Sequence, residues 1–256
     1  MGDVGAPVPS LAPEEDILVL VTGFGPFKTH PVNPSFLITA HLPQYLPSSS
    51  TTCGRRVRII AHPVPLRVAY ETVHNDMPPL IEAFRAVHGR APHLIIHVGM
   101  AATRQYYAVE TLAHRDGYVV SDVDGRPGIM FDKGLPEVLQ PGMPEPTTAS
   151  GEAVEGKKAE DKELRPTAPD GLFLQAWRRS LPADRLYDVR LSHDAGRYLC
   201  EYIYYTSLAA CWEEQRPRGV IFLHVPGWTD KASVEMGADV LVGLVRAAVD
   251  CWGTGS

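Results

Sequence analysis

Short, unbroken apolar runs alternate along this chain with longer stretches whose apolar residues recur at helical spacing. Ile17 to Thr22 (ILVLVT), Leu94 to Val98 (LIIHV) and Val220 to Val225 (VIFLHV) are rich in β-branched and aliphatic residues, the pattern of strands covered on both faces. Arg56 to Ala61, Tyr106 to Leu112 and Tyr187 to Leu191 add three further strands. Helices are predicted from Asn33 to Ala40, from Val68 to Val87, from about Gly196 to Trp212, and from Ala232 to Trp252. Pro34 falls where a missing N–H costs little, whereas Pro78 and Pro79 must kink or break their helix. Strands alternating with helices predict an α/β fold: a three-layer αβα sandwich with a mostly parallel central sheet, in a single domain spanning 17–252. In such folds, sites gather beyond the carboxyl ends of the strands.

Two segments break the alternation. Residues 1–16 carry Pro7, Pro9 and Pro13 among small and acidic residues and read as a disordered tail. Residues 133–170, rich in Pro, Gly, Glu, Lys and Thr, lack hydrophobic periodicity and read as a flexible, solvated insertion. Most of the charge lies here. The formal net charge is −6, with −4 in the tail and −4 across 132–170, so the rest of the chain is nearly neutral. Its one tight cationic group, Arg55, Arg56 and Arg58, flanks a predicted strand, so no nucleic-acid partner is expected. No run reaches the roughly 18 to 20 apolar residues of a membrane span, and the N-terminus lacks a secretory pattern. A cytoplasmic protein with no membrane partner is expected, and nothing in the sequence identifies a subunit interface.

Four cysteines, Cys53, Cys200, Cys211 and Cys251, form no CxxC pair and have no histidines at zinc spacing, so no metal site is signalled. Cys200 and Cys211 share one predicted helix, about 16 Å apart, too far for a disulfide. Gly23, Phe24, Gly25, Pro26 and Phe27 follow the first strand, where a phosphate loop would lie. The third glycine of a dinucleotide fingerprint is missing, with Lys28 at its position. This stiff, apolar turn suits a wall against a small uncharged ligand. With Asp194 and Gly196 as its cap and entry, the helix would carry Cys200 within about its first two turns and bias it toward thiolate. His224 ends an apolar run at the sheet edge and could take a proton from Cys200. Glu110, the only charged residue between Gln105 and Ala113, is the leading carboxylate to orient an imidazole. From pattern alone His97 competes with His224.

VTGFGPF (Val21 to Phe27) with Asn33, HVG (His97 to Gly99), Glu110, HRDGY (His114 to Tyr118), SHDAGRYLCEYIYYTSL (Ser192 to Leu208) and FLHVP (Phe222 to Pro226) together resemble the pyroglutamyl-peptidase I family of cysteine peptidases. The resemblance spans about 17–131 and 186–250. It implies Cys200 as nucleophile, His224 as general base and then acid, and Glu110 as the residue orienting His224, all without a metal or organic cofactor. It implies an exopeptidase that removes an N-terminal pyroglutamyl residue from peptides through a thioester. Phe24, Phe27, Tyr198 and Leu199 would form the substrate pocket, with Asn33 bracing the glycine-rich turn. Lys28 replaces a frequent family glycine, and Met100 and Thr111 replace polar and basic residues of bacterial members. Two alternatives are a catalytically silent binder of pyroglutamyl peptides and, more distantly, a nucleotide-binding oxidoreductase.

Overall fold

The computed structural model describes residues 16–46, 54–144 and 164–253. Residues 1–15, Cys53 and the middle of the predicted insertion lie outside them. β1 (Ile17–Gly23) is buried along its whole length and lies at the heart of a seven-stranded sheet. The other strands of that sheet are β2 (Tyr45–Leu46), β3 (Val57–Ala61), β4 (Leu94–Met100), β5 (Tyr107–Glu110), β8 (Val189–Ser192) and β9 (Val220–Val225), in the order β2-β3-β1-β4-β9-β5-β8. The core strands β3, β1, β4 and β9 run parallel. β5 turns antiparallel to β9 and is itself parallel to β8, while β2 is antiparallel to β3. β6 (Ala113–His114) and β7 (Val138–Leu139) form a separate antiparallel pair, which draws the front of the 133–170 stretch onto the body. Leu135, Leu139 and Leu164 of that stretch are buried.

Helices cover both faces, as the alternation requires. α2 (Tyr70–His88) and α4 (Leu199–Glu213) pack together on one face; α1 (Pro34–Ala40), α3 (Gly171–Arg179) and α5 (Lys231–Gly253) cover the other. α3 carries no signal in the alternation described above, yet Asp170 caps it by accepting from the N–H groups of Leu172 and Phe173. α2 differs from expectation too, because it runs through Pro78 and Pro79 as a single helix. Both prolines lie on its exposed side. Tyr70, Val73, Met77, Ile81 and Phe84, spaced three or four residues apart, bury the opposite side and hold the helix together despite the lost donors.

α4 corrects the expected start at Gly196. Gly196 (φ +85°) and Arg197 (φ +26°) are both left-handed and cannot open a right-handed helix. Asp194 Oδ1 accepts from Gly196 N–H at 2.9 Å, tightening a turn rather than capping the helix. Tyr198 is the N-cap, without a side-chain cap bond, so Cys200 is the second helical residue.

Candidate active site

The sulfur of Cys200 rests on a gap in the sheet. A Cβ on Gly99 would lie 2.9 Å from Cys200 Sγ and 2.6 Å from Phe222 Cζ, so glycine is what leaves the thiol its seat. Gly99 is the register partner of His224, and in-register neighbours on parallel strands project to the same face. Cys200 Sγ therefore sits over the strand partner of His224, at the carboxyl edge of β4 and β9. Phe222, two residues before His224, packs on the imidazole with ring centroids 4.8 Å apart.

The antiparallel turn of β5 places the carboxylate. Ala108 lies opposite His224 and Glu110 opposite Phe222, so Glu110 is the diagonal neighbour of His224 on the same face, one pleat deeper in the molecule. His224 Nδ1 donates to Glu110 Oε1 at 2.7 Å. That bond fixes the tautomer and leaves Nε2 as the basic nitrogen. Glu110 is fully buried and His224 nearly so. His97 plays a different part. It is fully buried, with Thr22 Oγ1 2.7 Å from Nδ1 and Ser207 Oγ 2.9 Å from Nε2, and burial lowers its pKa to about 3. Both ring nitrogens are occupied, so His97 is a neutral tie between β1, β4 and α4.

Burial works against the expected thiolate. Burial pushes the Cys200 thiol up to about 12, with the charge of Glu110 adding to the rise. Arg104 and the backbone N–H of Cys200 act in the opposite direction but are outweighed. Desolvation disfavours an anion more than one helix end favours it. A neutral thiol needs a base at the moment of attack.

Phe24, Phe27, Asn33, Val68, Met100, Tyr198 and Leu199 line a small cavity that opens on Cys200. The structure thus brings together the four residues that the resemblance implied for a pocket, and Asn33 of the turn lies beside them. Asn33 serves mainly as a brace: its Nδ2 donates to Gly25 O at 2.9 Å, and its Oδ1 accepts from Ser35 N and Ser35 Oγ. Gly23 allows helix α1 this close, since a Cβ there would sit 2.8 Å from the Cα of Phe36. Lys28, at φ +47°, sets its ammonium over the rings of Phe27 and Tyr198, about 5 Å from each centroid. Thr111 faces away, donating to Ser192 O.

Three residues not singled out from the sequence complete the arrangement. Arg104 donates to Glu110 Oε1 at 2.8 Å and to Asp194 O at 3.0 Å. Buried Tyr204 donates to the carbonyl of Glu110. Glu201, next to Cys200 and fully buried, accepts from the N–H of His114 and from the N–H of Arg197, anchoring the HRDGY loop to the start of α4. Glu201 sits in the quoted YLCEY stretch, and Arg104 is the lone cation between Gly99 and Glu110. Neither position reveals its partner without the fold. Among the described residues no group of three or more His, Cys, Asp or Glu side chains is arranged to hold a metal ion.

A half-buried thiol seated over the strand partner of an imidazole that a buried carboxylate holds, at the edge of a helix-covered sheet, is an arrangement suited to a cysteine peptidase of α/β architecture. Known proteins narrow the class. The pyroglutamyl peptidase profile matches residues 17–130. Pyroglutamyl-peptidase 1 of Rattus norvegicus is 30% identical over 209 residues, covering 81% of this chain and 78% of that protein. Pyrrolidone-carboxylate peptidase of Pyrococcus furiosus is 27% identical over 217 residues, covering 81% and 80%. The solved pyrrolidone carboxyl peptidase of Thermococcus litoralis shares the fold, with a TM-score of 0.62 over 91% of this chain and 93% of that one at 17% identity. The chain belongs to the pyroglutamyl peptidase family.

Proposed function

We propose that this protein is a cysteine exopeptidase that hydrolyses the amide bond following an N-terminal pyroglutamyl residue. The observation that carries the reading is the seating of Cys200 Sγ over Gly99, the strand partner of His224, whose Nδ1 is in turn bonded to Glu110. The cavity fits the substrate chemically. Pyroglutamate is a compact neutral lactam without a free amine, and Phe24, Phe27, Tyr198 and Leu199 offer a largely apolar, uncharged surround next to the sulfur.

His224 Nε2 takes the thiol proton as Sγ attacks the scissile carbonyl, and Glu110 stabilises the imidazolium that results. The first N–H groups of α4 have no partner within the helix and are placed to receive the oxyanion; loss of one such donor costs roughly 3 to 4 kcal/mol in comparable sites. The imidazolium then protonates the departing amine. Water, activated by the same imidazole, hydrolyses the acyl thioester and restores the thiol. No step calls on a metal or an organic cofactor.

Peptides with a pyroglutamyl N-terminus are the proposed partners. Cys200, Cys211 and Cys251 are free thiols, which supports a cytoplasmic setting. Among the described residues, no helix is long and apolar enough to cross a membrane. The test is release of a fluorescent amine from its pyroglutamyl amide. Wild-type protein is expected to turn it over, while Cys200→Ala and His224→Ala remain folded and lose nearly all activity; equal rates in wild type and Cys200→Ala would discard the assignment.

A further inference from the structure

We propose that Arg104 is a positioning residue for this reaction: it holds the Glu110 carboxylate aimed at His224 while tying it to the loop that delivers Cys200. The inference deepens the peptidase reading and rests on it. Glu110 is fully buried, and its two oxygens are unequally served. Oε1 accepts from His224 Nδ1 at 2.7 Å and from Arg104 Nη1 at 2.8 Å, whereas Oε2 has no partner among the described residues. Arg104 and His224 are also the only ion-pair partners of Glu110 among those residues.

A carboxylate withdrawn from water is costly unless it is paired and hydrogen-bonded. With the imidazole as its sole partner, the Glu110 carboxylate would be held at one point only and would be free to rotate away from the ring. Arg104 supplies a permanent cation and removes that option. It has a second effect, because it shares Oε1 with His224. The guanidinium and the ring converge on that one oxygen, so the guanidinium sets the direction from which Oε1 meets Nδ1.

The other arm of the guanidinium reaches the nucleophile's side. Nη2 donates to the carbonyl of Asp194 at 3.0 Å, in the loop between β8 and α4, six residues before Cys200. The Asp194 side chain tightens the same loop by accepting from Gly196 N–H. Arg104 thus spans carboxylate and loop with one planar fork, a reach that a lysine ammonium does not have. Its side chain keeps 22% of its surface in solvent, so a small cation can enter the space its removal would leave.

The experiment compares Arg104→Gln and Arg104→Lys with wild type on the pyroglutamyl amide. Arg104→Gln is expected to lose about 10²-fold in kcat, with KM changed by less than about 3-fold, and to recover about 10-fold of that in millimolar guanidinium chloride. Wild-type kcat, a loss confined to KM, or a loss that guanidinium leaves untouched would overturn the proposal. Arg104→Lys keeps charge near Glu110 without the bridge to Asp194 and decides the matter if the glutamine variant does not fold. Its kcat should fall about 10-fold at constant KM, and an undiminished kcat overturns the bridging role. Alkylation of Cys200 by iodoacetamide separates this inference from the peptidase reading. A wild-type protein that alkylates but releases no amine sinks the reading of function alone; equal alkylation rates in wild type and the Arg104 variants sink the role of Arg104.

Discussion

Gly99→Ala isolates the seat of the nucleophile. The added Cβ would lie 2.9 Å from Cys200 Sγ and 2.6 Å from Phe222 Cζ. Heavy atoms in van der Waals contact keep roughly 3.5 to 4.0 Å apart, so the sulfur must retreat by about 0.6 Å or more, and the phenyl ring by about 0.9 Å. Phe222 is fully buried and packs on His224, so its displacement carries into the imidazole as well. Overpacking of this kind costs about 1 to 3 kcal/mol of stability. A misplacement approaching 1 Å at the reacting atoms costs on the order of 10²-fold in rate. Gly99→Ala is therefore expected to remain folded, with a lowered urea midpoint, and to lose about 10- to 100-fold in kcat on the pyroglutamyl amide. KM should change by less than about 3-fold, because the methyl group lies beneath the sulfur rather than in the lactam cavity. Full kcat with a lowered midpoint would show that the sulfur does not use this seat and would refute the geometry assigned to the site.

Two further expectations concern groups around the site. His97 has a pKa lowered from 6.5 to about 3 by burial, so below pH 6.5 the unfolded chain binds a proton that the folded chain refuses. Stability is therefore lost as pH falls from 6.5 toward 3, by about 2 kcal/mol at pH 5 from this residue. Thermal melts at pH 7 and pH 5 should show a smaller acid-dependent drop in His97→Gln than in wild type, and identical drops would remove His97 as a source. Asn33→Ala deletes both the cap of α1 and the brace on Gly25 O, with an expected loss of about 1 to 3 kcal/mol. Because Phe24 and Phe27 hang on that turn, KM should rise more than kcat falls; an unaltered KM would detach the turn from substrate binding.

The central strands and most helices were legible because burial on both faces writes unbroken apolar runs, and burial on one face writes helical spacing. β1 and β9 match their runs to within a residue, and α1 begins at Pro34 with Asn33 as its cap. The start of α4 was misplaced because left-handed dihedrals at Gly196 and Arg197 are set by the loop's contacts, among them Arg197 N–H donating to Glu201 Oε2 at 2.7 Å. The expected bias toward thiolate meets an opposing effect for a related reason. Helix position is local, but the desolvation and neighbouring carboxylate that raise the Cys200 thiol come from segments distant in sequence.

By itself the sequence determined the layered α/β class, the family likeness, and a short set of residues able to do acyl chemistry, because side-chain type and periodicity are properties of the chain. Pattern alone could not choose between His97 and His224, two histidines in strands of nearly equal apolar character, and only the family likeness pointed to His224. The different surroundings of the two belong to tertiary structure: β5 runs antiparallel to β9, which sets Glu110 diagonal to His224, while Thr22 and Ser207 occupy both nitrogens of His97. Strand direction and register are decided only when segments more than a hundred residues apart in the chain pack together, so the pairing of Glu110 with His224 and with Arg104 exists only in the folded molecule.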